Sequence, residues 1–181
     1  MIHTLYYWPD QEFTYARIAK CYSSTLTNHL CQNDTNNIQV AEVPSAGPVF
    51  MPIRHPVDRV ASHYSRTYWK KYTFEEYVDQ VLNQGLAERD PHVAPYVEST
   101  KLATHVRPVE YMEQWWNEFY VMRPGIFGDY PSRIANRSKD EHRPDHRLVQ
   151  YLRAEISSFY ELDLQAWNEA CDDYRTSPFP V

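Results

Sequence analysis

The chain has 181 residues, enough for about one domain at roughly 150 residues each, and enough to bury a core without disulfide or metal staples. Hydrophobic residues make up 43% and charged residues 23%, which excludes a chain disordered throughout, and no stretch approaches the 18 apolar residues of a membrane span. Eighteen Lys and Arg against 24 Asp and Glu leave a net charge of −6, which argues against a general nucleic-acid binder but not against a small anion held by local charge.

The opening MIHTLYYWPDQEF has neither the basic start nor the apolar block of a signal peptide, so a cytoplasmic location is expected. Residues 13–19, FTYARIA, read as a first strand that ends at Lys20-Cys21-Tyr22-Ser23-Ser24-Thr25. A helix over 24–32 follows, with Ser23 or Ser24 as its N-cap. After the polar loop 33–37, residues 38–43 and 48–53 read as two further strands, the latter (PVFMPI) apolar enough to be central. Pro56 suits the first turn of a helix whose Val57, Val60, Ala61, Tyr64 and Tyr68 form one apolar stripe. Thr73-Phe74-Glu75-Glu76 is a capping box opening a helix to about Leu82. Residues 86–101 read as irregular, 109–120 as helical, and 145–171 as one long helix or two. Strand–helix–strand–helix order followed by helices implies an α/β layer around a parallel sheet, in a single domain over 1–181.

Glycine is scarce, at four residues, so any phosphate loop here is not of the Gly-rich kind. The 18 basic residues divide into 13 Arg and 5 Lys, and Arg is the residue suited to two-pronged bonds with phosphate. Two segments carry this chemistry. The first is strand, Lys20-x-x-Ser23-Ser24-Thr25, helix. Free N–H groups and a partial positive charge stand at the start of a helix, and Lys20 and the hydroxyls add to them. The Walker pattern GxxxxGK[ST] is absent. The second segment runs from Ile53 to Tyr64. Arg54 stands at the carboxyl end of an apolar strand, the edge where open α/β sheets bind ligands. Arg59, Ser62 and Arg66 lie on the following helix opposite its apolar stripe.

The order Lys20-x-x-Ser-Ser-Thr, then Arg54-x-Pro-x-x-Arg59-x-x-Ser62-x-Tyr64, resembles the sulfotransferase family. It looks closest to the branch of the Golgi carbohydrate sulfotransferases and their small bacterial and viral relatives. Ile134-Ala135-Asn136-Arg137-Ser138-Lys139 and Tyr160-x-x-Asp163-Leu164 look like later segments of that family, so the likeness spans about residues 13–165. It departs where the family commonly has Pro before the lysine and Gly after it; Ala19 and Cys21-Tyr22 stand there instead.

The resemblance implies a P-loop-like three-layer fold with a small central parallel sheet flanked by helices and a helical C-terminal part. It implies 3′-phosphoadenosine 5′-phosphosulfate as co-substrate, with no metal. Lys20, Ser23, Ser24 and Thr25 match the 5′-phosphosulfate site; Arg54 and Ser62 match the 3′-phosphate contacts. Arg59 matches a family position, with pairing to a carboxylate in the fold as the alternative to ligand contact. The implied reaction moves a sulfuryl group to a hydroxyl or amine acceptor, a carbohydrate in the branch it resembles. Lys20 would neutralise charge on the leaving oxygens. The general base is expected at His92, in Arg89-Asp90-Pro91-His92, with Glu42 as chief rival and His63 a weaker one. Two other functions stand beside this one: a non-catalytic nucleotide-binding or interaction protein of the same fold, and a P-loop-type small-molecule kinase, against which the missing Walker pattern counts.

Other signals point to structure. Two histidines four apart, His142 and His146, suggest a metal pair, but Pro144 interrupts the helix between them. Trp115-Trp116 read as core. Three cysteines, Cys21, Cys31 and Cys171, give no CxxC and no even framework, so a reducing compartment is the simplest reading. Cys21 beside Lys20 reads as structural.

Overall fold

The computed structural model describes residues 4–33, 39–41, 47–131 and 140–175. Strands β1 (Thr4–Trp8), β2 (Phe13–Arg17), β3 (Gln39–Ala41), β4 (Val49–Ile53) and β5 (His105–Pro108) form one sheet in the order β3-β1-β2-β4-β5. The sheet is mixed, not parallel throughout. Only β2, β4 and β5 run parallel; β1 lies antiparallel to both β2 and β3. The expected first strand, 13–19, stops at Arg17, because residues 18–22 turn into the helix after it.

Two strands went unread in the sequence. β1 closes a hairpin with β2 through a single tight turn, Pro9–Gln11, whose exit residue Glu12 is left-handed at φ 47. Its LYYW run has the aromatic content of a strand. β5 has only four residues, and half-buried positions dominate it, so no apolar alternation marks it.

β4 is central because every residue in VFMPI is buried, which both faces of a covered parallel strand require. Phe50 faces one side with Trp8, Phe13, Tyr15, Trp115, Phe119 and Phe127, packed by Leu26 and Leu30 of helix α1 (Ser23–Asn33). Val49, Met51 and Ile53 face the other, with Leu5, Ala16, Ile18 and Ala170. Helices thus cover both faces of the sheet.

A third apolar cluster is built largely by helices and draws no residue from the sheet. α2 (Pro56–His63) contributes Val57 and Val60, and α3 (Phe74–Leu82) contributes Tyr77, Val78 and Val81. The capping box of α3 forms as read: Thr73 accepts from the Glu76 N–H, and Glu76 from the Thr73 N–H. Residues 86–101 are not wholly irregular; they hold two single-turn helices, α4 (Leu86–Arg89) and α5 (Val97–Thr100). α6 (Met112–Met122) and α7 (Pro124–Phe127) follow β5. The C-terminal helical run is two helices, α8 (His146–Phe159) and α9 (Glu161–Arg175). None of the described helices is long and apolar enough to cross a membrane.

Candidate functional site

The turn from β2 into α1 occupies residues 18–22, at the carboxyl end of a parallel strand. Lys20 and Tyr22 both take left-handed backbone, at φ 63 and φ 54. Glycine adopts this region freely, whereas each L side chain there costs about 1 kcal/mol. Left-handed residues in such a turn direct backbone N–H groups into one concavity, a geometry suited to anions. The first helical bond of α1 runs from the Leu26 N–H to the Tyr22 carbonyl at 3.0 Å, so the N–H groups of residues 23–25 precede the ladder. Ser23 and Thr25 are buried and Ser24 is half-buried.

Lys20 is half-buried, and its ammonium pKa is pushed down to about 8. Burial is the main cause. The positive charges of Arg66 and Arg54 act in the same direction, and the Asp90 carboxylate opposes them. Three cations are therefore gathered about one turn of a chain with net charge −6. Arg54 follows β4 directly. Its guanidinium lies 5.8 Å from the centre of the Tyr22 ring, so the left-handed residue of the turn also positions an arginine. Ser62 is half-buried on α2.

Arg59 has a different place. Its side chain is 2% exposed and pairs with the 1% exposed Asp163 at 3.6 Å. It donates to the carbonyl of Ala94 at 2.6 Å and, through Nε, to that of Ala19 at 3.4 Å. The expected phosphate contact is thus corrected: these bonds aim Arg59 at the backbone of the turn and of the 90–97 segment, leaving it inside the fold. Asp163 also accepts from the N–H groups of Tyr96 and Val97, at 2.8–3.0 Å. Burial raises its pKa, with those N–H groups and Arg59 opposing. Tyr160 donates from its hydroxyl to the Val93 carbonyl. The segment 90–97 lacks long regular structure, yet buried groups of α2, α9 and the α8–α9 junction fasten it at Pro91, Val93, Ala94, Tyr96 and Val97.

That fastened segment presents His92, 49% exposed. Asp90 accepts from the His92 backbone N–H at 2.9 Å, and its Oδ1 lies 2.9 Å from His92 Nδ1. A carboxylate there holds the proton on Nδ1 and leaves Nε2 with a lone pair, the arrangement a general base needs. His63, at the end of α2, stacks on His92 with ring centres 5.0 Å apart and planes at 11°. Its Nε2 is 3.5 Å from Asp90 Oδ2, and its Nδ1 is 2.8 Å from the Tyr77 hydroxyl. Burial drives the His63 pKa down to about 3 against the pull of Asp90, with Lys20, His92 and Arg59 adding to the fall. It is neutral near pH 7. Burial pushes the Asp90 carboxyl up, but the His92 hydrogen bonds and the charges of His63 and His92 outweigh it and leave the carboxyl below its ordinary range.

After α2 the helix widens: the Trp69 N–H bonds the Tyr64 carbonyl at 3.1 Å, five residues back. Such π-turns are rare and cluster at functional sites. This one carries Arg66 and lays Tyr68 edge-on against His63, with ring centres 5.3 Å apart.

Among the sequence-read residues, Lys20 thus lies within electrostatic reach of Arg54 and of Asp90, the partner of His92, and the first turn of α1 follows Lys20 directly. Asp90 was not singled out from the sequence, although Asp-Pro-His at that spacing is an Asx turn that aims a ring at its own carboxylate. Glu42 and residues 134–139 lie outside the described residues. His142 stacks on Trp69 with ring centres 3.7 Å apart, and His146 is exposed on α8, 3.4 Å from Gln150 Nε2. Trp115 and Trp116 are core. Burial pushes the Cys21 thiol up to about 12, so it is no thiolate nucleophile at neutral pH. A shallow dip lined by Tyr72, Glu75, Glu76, Asp79 and Gln80 lies at the start of α3, and its carboxylates have the wrong sign for an anion. Comparison of the chain with family models, curated proteins and solved structures gave no match.

Proposed function

We propose that this chain transfers a sulfuryl group from 3′-phosphoadenosine 5′-phosphosulfate to a hydroxyl or amine acceptor, on a P-loop-like α/β fold. The observation that carries this reading is the electrostatic position of Lys20. It is coupled to Arg54 and Arg66 on one side and to Asp90, the partner of His92, on the other. On this reading the anion cradle and the histidine pair work as one site, since Lys20 feels the charges of both. A sulfotransferase needs both halves; a simple phosphate-binding turn needs only the first.

The residues present fit the anionic end of this nucleotide. The left-handed turn and the start of α1 supply N–H donors, Ser24 a hydroxyl, and Lys20, Arg54 and Arg66 positive charge. Arg54 at the sheet edge, with Ser62 on the next helix, would hold the 3′-phosphate. When bound, the nucleotide supplies an activated sulfuryl group on a phosphate leaving group. The acceptor oxygen attacks sulfur, the bond from sulfur to the phosphate oxygen breaks, and the acceptor proton passes to His92 Nε2. Lys20 stabilises the negative charge left on the phosphate, where positioning and charge do most of the work. Asp90 stabilises the imidazolium that His92 becomes. His63 stays neutral under His92 and adds no competing positive charge there.

The test is turnover in His92→Ala. Losing a positioned base lowers the rate by about 10²- to 10⁴-fold. Transfer to a panel of hydroxyl and amine acceptors should fall by that amount, while 3′-phosphoadenosine 5′-phosphate still binds. Undiminished turnover would remove His92 from the reaction. Bisphosphate binding without transfer by the unaltered protein to any acceptor would favour a non-catalytic binding protein.

A further inference from the structure

His63, Asp90 and His92 form a group that the transfer chemistry does not require in full. One base and one orienting carboxylate suffice, and the second histidine is extra. Each of the three offers a ligand atom within 4.8 Å of the other two. His63 Nε2 lies 3.5 Å from Asp90 Oδ2, and His92 Nδ1 lies 2.9 Å from Asp90 Oδ1. Tetrahedral zinc with bonds near 2.1 Å sets its ligand atoms about 3.4 Å apart. The Asp90 carboxylate thus reaches one histidine with each of its oxygens, and a shift of about an ångström, within the reach of the exposed His92 ring, brings one atom from each residue to that spacing.

We propose that His63, Asp90 and His92 bind a single divalent zinc ion, and that this ion switches off the base. The ligand chemistry sets the metal class. Two imidazoles and one carboxylate suit zinc, cobalt or nickel, whereas magnesium and calcium require oxygen ligands. An outer partner is in place, since the Tyr77 hydroxyl oxygen lies 2.8 Å from His63 Nδ1 and accepts a hydrogen bond from Nδ1–H when Nε2 binds metal. His63 is held by the fold. His92 is half exposed at a loop, so it is the ring that turns out of its stack to reach the ion. A fourth position stays open to water on the exposed side. Lys20 and Arg59 lie close enough to His63 to repel a dication, so the site is weaker than a closed structural zinc site.

Inhibition follows from proton accounting, and this half rests on the sulfotransferase reading. Neutral His92 carries one ring proton. Metal on Nδ1 moves that proton to Nε2, and Nε2 then has no lone pair with which to take the acceptor proton. Metal binding itself requires no nucleotide and stands apart from that reading.

The test is calorimetric titration of the full chain with zinc chloride, paired with cobalt(II) absorption spectra. The unaltered protein should bind one zinc ion saturably, and cobalt should give the intense visible bands of a low-coordinate site. His92→Gln and Asp90→Asn should each weaken zinc at least about tenfold, and Tyr77→Phe, which removes only a hydroxyl, about tenfold. Unchanged unfolding midpoints in the variants serve as the folding control. Absence of saturable binding, or variants that bind like the parent, would overturn the site. Zinc binding without loss of sulfuryl transfer would overturn the switch. Stabilisation by 3′-phosphoadenosine 5′-phosphate is read in the same samples: its presence without zinc binding sinks this inference alone, and zinc binding without it sinks the proposed function alone.

Discussion

Arg54 and Arg59 stand five residues apart in one motif, and the fold uses them in opposite ways. Arg59 points into the protein, where Asp163 and the carbonyls of Ala19 and Ala94 surround it. Arg54 sits at the sheet edge, half-buried, with its guanidinium over the Tyr22 ring. The buried arginine ties the left-handed turn to the segment that presents His92, so it builds the walls. The edge arginine is left, on the proposed reading, to meet the ligand. Identical side chains thus divide into architecture and contact according to burial.

The largest effect that tests this division is on stability. Arg59→Met keeps the bulk but leaves the Asp163 carboxylate buried without its cation. Breaking one side of a buried pair costs about 3–5 kcal/mol. Urea denaturation should show a loss of that size for Arg59→Met, against under about 1 kcal/mol for Arg54→Ala. Equal losses in the two variants would erase the distinction.

A smaller effect sharpens it through pH. The Lys20 ammonium is lost near pH 8, below the ordinary 10.5, because it is partly buried beside Arg66 and Arg54. Only the charged form attracts an anion. Affinity for 3′-phosphoadenosine 5′-phosphate should therefore be full below about pH 8 and fall above it, by up to tenfold (about 1.4 kcal/mol) per unit. Arg66→Gln removes a repelling charge and should move the fall to higher pH. Calorimetric titrations from about pH 7 to 9.5 would show it, and an affinity flat across that range would detach Lys20 from the anion.

These two arginines also mark how far the sequence could be read. Motif spacing placed both on one helix-and-strand unit and left Arg59 with two uses. Deciding between them required Asp163, more than a hundred residues away, which no local pattern connects to it. The turn was legible because strand, lysine, hydroxyls and helix are contiguous. Its left-handed backbone at Lys20 and Tyr22 was not, since the usual signal, glycine, is missing. The capping box at Thr73 and the apolar stripe of α2 were legible for the same local reason. His92 was reached through the resemblance, but Asp90, His63 and Tyr77 assemble around it through contacts between α2, α3 and the 90–97 segment. β5 escaped because four residues, three of them half-buried, carry no periodicity, and the sheet's mixed character follows from β1, whose hairpin was not read.

The central claim is that Lys20 and Arg54 together hold a nucleotide bearing phosphates at both the 5′ and 3′ positions. Thermal unfolding with 3′-phosphoadenosine 5′-phosphate, with ADP and ATP as controls, tests it most directly. A ligand that binds only the folded state stabilises it by about 2.7 kcal/mol at a hundred times its dissociation constant. The account predicts a raised midpoint with the bisphosphate, a much smaller shift with ADP or ATP, and loss of the difference in Arg54→Ala. An unmoved midpoint at roughly millimolar bisphosphate, or an Arg54→Ala variant that responds like the parent, would contradict it.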